Sequence, residues 1–211
     1  LPAQPGIFPD YPAPIVRRTP SGVQLMRARW GMPSPAFALK GKRTDPGVTN
    51  IRNVSSPHWR RWLGAPHRCL VPVEAFSEPG PDRKPVWFEP VDGAPMMFAG
   101  IETRGWASIR KVKDGETTDD LFGFLTCRPN AEVGAIHPKA MPVILTSATD
   151  WDTWLNAPWE IAKLLQTGGC FGDGEQLLAK IIAQGQVELV VRQRREVLKE
   201  VLFASGRSGR R

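Results

Sequence analysis

The sequence predicts an α+β fold in a single domain, with mainly antiparallel strand pairing. Three observations lead there. Short apolar or alternating runs follow one another closely, as in QLMRARW (24–30), HRCLVPV (67–73), MMFAGI (96–101) and LFGFLTC (121–127). Helical patterns are few and sit mostly after residue 147. Neither a glycine-rich phosphate loop nor an alternating βαβ pattern occurs, which rejects nucleotide-binding α/β folds. At 211 residues the chain fits one domain, or one domain with an appendage.

Composition narrows the class further. A hydrophobic content of 41% supports a sizeable core, and no apolar run is long enough to span a membrane. The opening LPAQPGIFPDYPAP has neither the basic start nor the apolar centre of a signal peptide. Three widely spaced cysteines suggest no disulfide framework and no metal pair, so the expected setting is reducing and cytoplasmic, without metal or nucleotide cofactor. A net charge of +7 points to a polyanionic partner such as nucleic acid. Part of that charge lies in Arg192, Arg194, Arg195, Arg207, Arg210 and Arg211, and part beside tryptophans, of which there are eight.

Taken in order, the recurrent prolines through Pro20 keep the first segment extended. The strand at 24–30 ends in Arg29-Trp30-Gly31-Met32-Pro33, where Gly and Pro enforce a turn. Trp30 reads either as a core residue or as a stacking platform beside a phosphate-holding Arg29. The polar stretch 40–49 is a loop. SSPHWRRWL (55–63) predicts a helix, with Ser at its start, Pro57 in the first turn, and His58, Trp59 and Trp62 inward of Arg60 and Arg61. The strand at 67–73 carries Cys69 among apolar neighbours, and AFSEP (75–79) holds Glu78 extended before Pro79. Strands follow at 86–89 and 96–101, then a surface loop or hairpin over 104–120, a strand at 121–127 and a helical turn near 131–136.

The apolar run 142–145 is a buried strand with His137 and Lys139 at its mouth, where scaffold meets loop. TSATDWDTWL predicts a helix capped by Thr149 or Asp150, with Trp151, Trp154 and Leu155 on one face. Segments 176–182 and 196–203 have helical composition around a β-rich VELVV, and the tail ASGRSGRR is expected to be disordered.

Three residues at strand or turn edges remain as candidates for chemistry. Asn50 supplies an orienting amide, Glu78 a carboxylate for proton transfer, and His137 an imidazole that titrates near neutrality. Arg29, Arg52, Arg60 and Lys139 form a suitable set for a phosphate backbone.

The order of RWGMPSP (29–35), TNIRN (49–53), HRCLVPVEAFSEP (67–79), FLTCRPNAEV (124–133) and IHPKAMPVIL (136–145) resembles the SRAP family, the SOS response-associated peptidases that process abasic sites. The resemblance covers roughly 5–158, which implies an SRAP-like domain over 1–158 with a distorted barrel-like sheet, and an extension over 159–211, helical in part and ending in a basic tail. It implies that methionine is self-removed to expose an N-terminal cysteine. Its α-amine attacks the aldehyde of an abasic site in single-stranded DNA, and its thiol closes a stable thiazolidine. By motif position, Asn50 would orient that amine, Glu78 would shuttle protons and His137 would act on the opened sugar. Arg29, Arg52, Arg60 and Lys139 would hold phosphates, and Trp30 would pack on a base or sugar, all in a monomer bound to single-stranded DNA.

Three departures qualify this. Leu1 lies in what looks like sequence well after the family's Met-Cys start, from a shortened chain or a misassigned start, so the chain as written is expected not to form the link. Lys139 stands where arginine is usual, within an HPKAMP that is one residue longer, and loses bidentate geometry. Pro79 stands where an aromatic is common. Two further readings stay open: a non-catalytic single-stranded nucleic-acid-binding module on the same fold, and a cysteine hydrolase using an exposed, acidified Cys69.

Overall fold

A computed structural model describes residues 4–80, 82–91, 93–167, 177–181 and 189–191. The chain opens with strands β1 (Gln4–Ile7), β2 (Pro12–Thr19) and β3 (Gly22–Trp30), a single helical turn α1 (Ala36–Leu39) and the two-residue β4 (Asn50–Ile51). Strands β5 (Arg68–Val73), β6 (Phe76–Pro79), β7 (Pro85–Pro90), β8 (Met96–Ile109) and β9 (Glu116–Cys127) follow. After α2 (Ala131–Gly134) come β10 (Met141–Pro142), β11 (Ile144–Leu145), α3 (Ala148–Asn156), α4 (Trp159–Ala162), α5 (Leu164–Thr167), β12 (Leu177–Ile181) and β13 (Leu189–Val191).

The expected α+β architecture is present. Strands β9, β3, β2, β5 and β8 pair in that order, and β8 pairs back onto β9, closing a five-stranded barrel. Closure removes the exposed edges that an open sheet must protect. Pairing is antiparallel except where β3 and β4 run parallel to β9. A smaller sheet, β12–β7–β6, lies beside it, and β1 pairs with β13.

The strands form because their apolar residues are β-branched or aromatic. β5 is buried along its whole length, Arg68 and Cys69 included. The core holds Ile15, Leu70, Phe98, Ile101, Phe122 and Leu125, each at most 1% exposed. Burying a side chain such as Phe98 contributes about 1.5–3 kcal/mol. Helix α3 covers this core with Trp151, Trp154 and Leu155, and the Trp154 indole N–H donates to the carbonyls of Cys69 (2.9 Å) and Gly100 (3.1 Å).

Several local expectations need correction. Residues 55–63 are turns with a 3-10 segment at Arg60–Trp62, not an α-helix. The reason is packing: i and i+3 eclipse in a 3-10 turn, which turns Trp59 and Trp62 toward one core patch, both under 7% exposed. Ser147, rather than Thr149 or Asp150, caps α3: its Oγ accepts from Asp150 N at 3.1 Å, and the Asp150 carboxylate accepts from Ser147 Oγ at 2.7 Å. Of the two readings for 104–120, the hairpin is the one present, with pairing from Trp106↔Asp119 to Ile109↔Glu116. Within the segment of helical composition, Leu177–Ile181 instead form β12, because the edge of β7 offers a full ladder from Leu177↔Pro90 to Ile181↔Val86. Cys127 is disulfide-bonded, which its sequence spacing had not suggested. The expected helix at 196–203 and the disordered tail lie outside the described residues.

Candidate functional site

A cleft of about 320 Å³ opens on one side of the barrel, and Trp30, Asn50, Arg52, Glu78 and His137 line it together with Phe76, Ser77, Phe124, Thr126 and Met141. The first wall is built from the RWG turn. Trp30 is 8% exposed and stacks on Phe124 and Phe122, with centroids 5.3 and 6.4 Å away. Its indole N–H donates to the Thr49 carbonyl at 3.1 Å. Trp30 is therefore a core tryptophan with one edge on the cleft.

Gly31 lets this turn meet the loop before Asn50. A Cβ on Gly47, whose φ is +77°, would lie 2.9 Å from Gly31 Cα and 2.2 Å from Arg110 Nη1. The buried Arg110 fills the space that remains, donating to the carbonyls of Gly31 (2.6 Å) and Asp45 (3.3 Å). Asp45 accepts from the backbone N–H groups of Ser34 and Gly47, and those bonds help hold its carboxyl below the ordinary value despite the opposing effect of burial. This clamp keeps Met32 paired with Val48, and the chain then enters β4 with Asn50 opposite Phe124.

The second wall carries the titratable pair. Glu78 sits in β6, held by pairing with Val86, while Phe76 of the same strand packs on Phe88 and Phe98. His137 lies just beyond α2, a turn capped by Asn130, with its backbone N–H donating to the Val133 carbonyl at 2.7 Å. Imidazole Nδ1 is 2.7 Å from Glu78 Oε2, with the two side chains 27% and 18% exposed. Burial raises the Glu78 carboxyl above its ordinary value, and the facing His137 partly offsets that rise. A carboxyl displaced toward neutrality beside an imidazole is suited to taking up and releasing protons.

The cations separate into groups. Arg52 lines the cleft, and its Nη1 donates to the carbonyls of Cys127 (3.0 Å) and Lys139 (2.8 Å). Arg29 does not line the cleft and is ion-paired to Asp10 (3.3 Å) and Asp119 (3.6 Å). Arg60 is exposed on the 3-10 segment, away from the cleft lining. Lys139 is exposed, two residues after His137. Sequence reasoning missed Thr126 and the Ile7–Pro9 segment, which also face the cleft. Neither carries a pattern that would have marked it.

Cys69 cannot serve as a nucleophile here. It is 0% exposed, and burial pushes its thiol well above the ordinary value, which removes the cysteine-hydrolase reading.

The family model for SOS response associated peptidase, SRAP, matches residues 2–171. The chain belongs to the SRAP family. That match runs past residue 158 and takes in α4 and α5 of this SRAP domain. Solved structures share the fold. A Bordetella bronchiseptica protein aligns at TM-score 0.63 and 22% identity, covering 86% of this chain and 90% of its own. A Bacteroides thetaiotaomicron protein aligns at TM-score 0.56 and 23% identity, covering 81% and 74%. A phage-related protein from B. bronchiseptica aligns at 0.57 and 21%, covering 89% and 86%. No protein of curated function matches the chain.

Proposed function

We propose that this SRAP protein acts on abasic sites in single-stranded DNA, forming a covalent thiazolidine through an N-terminal cysteine that self-removal of methionine exposes. The observation that supports this most is the 2.7 Å His137–Glu78 pair on the same cleft as Asn50. In this reading Glu78 accepts a proton from the attacking amine and returns it as water leaves, which is the exchange a Schiff base requires. His137 protonates the opened sugar, and Asn50 orients the amine. Trp30 presents its edge to a base or sugar, and Arg52 on the cleft with the exposed Arg60 and Lys139 supplies positive charge along the strand. Recognition needs no base edges, so binding follows the lesion rather than the sequence.

The test uses the protein translated from its encoded start, incubated with single-stranded DNA carrying one abasic site and resolved on a denaturing gel. A heat-stable covalent band is expected. Glu78→Gln and His137→Ala are each expected to slow its formation by about 10²–10⁴-fold, the usual contribution of a positioned acid or base. Salt-sensitive binding without a band would leave the non-catalytic single-strand-binding module instead.

A further inference from the structure

We infer that Arg52 and Gln166 are positioning residues that latch the loop carrying His137, so that Arg52 serves the site through the backbone it holds as well as through its charge. The inference deepens the function proposed above and rests on it only for its activity readout.

The loop from 135 to 140 has no strand partner of its own. It is tied upstream by the His137 N–H on the Val133 carbonyl at 2.7 Å, and pairing resumes only at Met141↔Cys127. Arg52 spans the interval. One terminal nitrogen carries two hydrogens, and Nη1 reaches both Cys127 O (3.0 Å), at the end of β9, and Lys139 O (2.8 Å), two residues from His137. Nη1 is committed to these two carbonyls, while the guanidinium keeps its charge on the cleft.

Arg52 follows a strand of only two residues, so its own backbone needs an anchor. Gln166 of α5 supplies it. Its Nε2 donates to Arg52 O (3.0 Å) and to Thr126 O (2.9 Å). Two planar nitrogens thus hold four carbonyls in one chain of contacts, from α5 through Arg52 to the His137 loop. Geometry of this kind depends on fixed, planar donors, which a lysine ammonium does not provide. Arg52, Glu78 and His137 are the charged or titratable side chains lining the cleft, so a displaced loop acts directly on the Glu78–His137 pair.

Arg52→Lys and Gln166→Met test this in the full-length protein. Arg52→Lys keeps the charge and loses the two-carbonyl fork; Gln166→Met keeps the bulk and loses the donor. Single-turnover cross-linking at saturating abasic single-stranded DNA is expected to slow by about 10- to 100-fold in both, as for a modest displacement of a reacting group. In Gln166→Met, DNA affinity and its salt dependence are expected to stay those of the parent. The ¹³C titration of the Glu78 carboxyl is expected to move upward in both, because His137 no longer offsets burial. Parent rate at saturation with weaker, less salt-dependent binding in Arg52→Lys would overturn the latch in favour of a phosphate contact. An unmoved Glu78 titration in Gln166→Met would overturn the part assigned to Gln166. Should the parent protein form no cross-link, the Glu78 titration still decides: movement in both variants upholds the latch and leaves only the proposed chemistry refuted.

Discussion

Glu78 and Glu102 are both lifted above the ordinary carboxyl value of 4.5 by burial, yet they do different work. Glu102 is fully buried between two arginines. Arg17 Nη1 lies 3.1 Å from its Oε2, in charge contact without hydrogen-bond alignment, and Arg104 Nη2 donates to its Oε1 at 2.9 Å. Arg17 also bonds Asp120 at 2.6 Å. Glu78 keeps 18% of its side chain in solvent and faces an imidazole instead. An arginine cannot release its proton near neutrality, so the Glu102 cluster serves to knit β2, β8 and β9 together. An imidazole can release its proton, so the Glu78 pair is able to pass one.

The sharpest way to break this contrast is Arg17→Met. It leaves Glu102 buried with a single, half-exposed partner, and removing one member of a buried pair costs about 3–5 kcal/mol. Thermal denaturation is expected to show a fall of roughly 10 °C. If Arg17→Met melts like the parent, the cluster does not hold the barrel. Arg104→Met is expected to cost far less, about 1 kcal/mol or less, because its side chain is 45% exposed and screened.

A smaller effect separates Glu78 and Glu102 from two aspartates by pH. Each is raised in the folded protein, so the native state binds more protons than the unfolded chain between the unfolded value of 4.5 and the folded one. The contribution of each is greatest below 4.5 and falls as pH rises through the folded value. Asp45 and Asp120 run the other way: they stabilise above 3.8, and that stabilisation is lost as pH falls. Glu78→Gln is expected to flatten the decline above 4.5 by less than about 1.4 kcal/mol per pH unit. Denaturant midpoints measured across that window check it, and a steeper decline in the variant would contradict the burial account.

Much of the fold was legible before the structure. Strand runs such as 67–73 and 121–127 are apolar enough that few other conformations bury them, and the turn after Trp30 is dictated by Gly31 and Pro33. Asn50, Glu78 and His137 stood out by residue type and motif order, and they line one cleft. Less legible was the fate of the arginines. Arg29 and Arg52 look alike in sequence, but one meets two aspartates and the other two carbonyls, contacts that depend on partners up to 90 residues away. The same holds for Leu177–Ile181, whose helical composition yields to the open ladder of β7.

By itself, then, the sequence determined the α+β class, the strand-forming runs and the identity of the groups able to move protons, because these follow from side-chain chemistry and local pattern. Tertiary structure alone decided that β8 returns to β9 to close the barrel, that Glu78 and His137 meet at 2.7 Å, and that Gln166 reaches back to Arg52. Those outcomes are contacts between distant segments. Their geometry is set by which surfaces remain to be buried once the local elements have formed, and no local pattern records it.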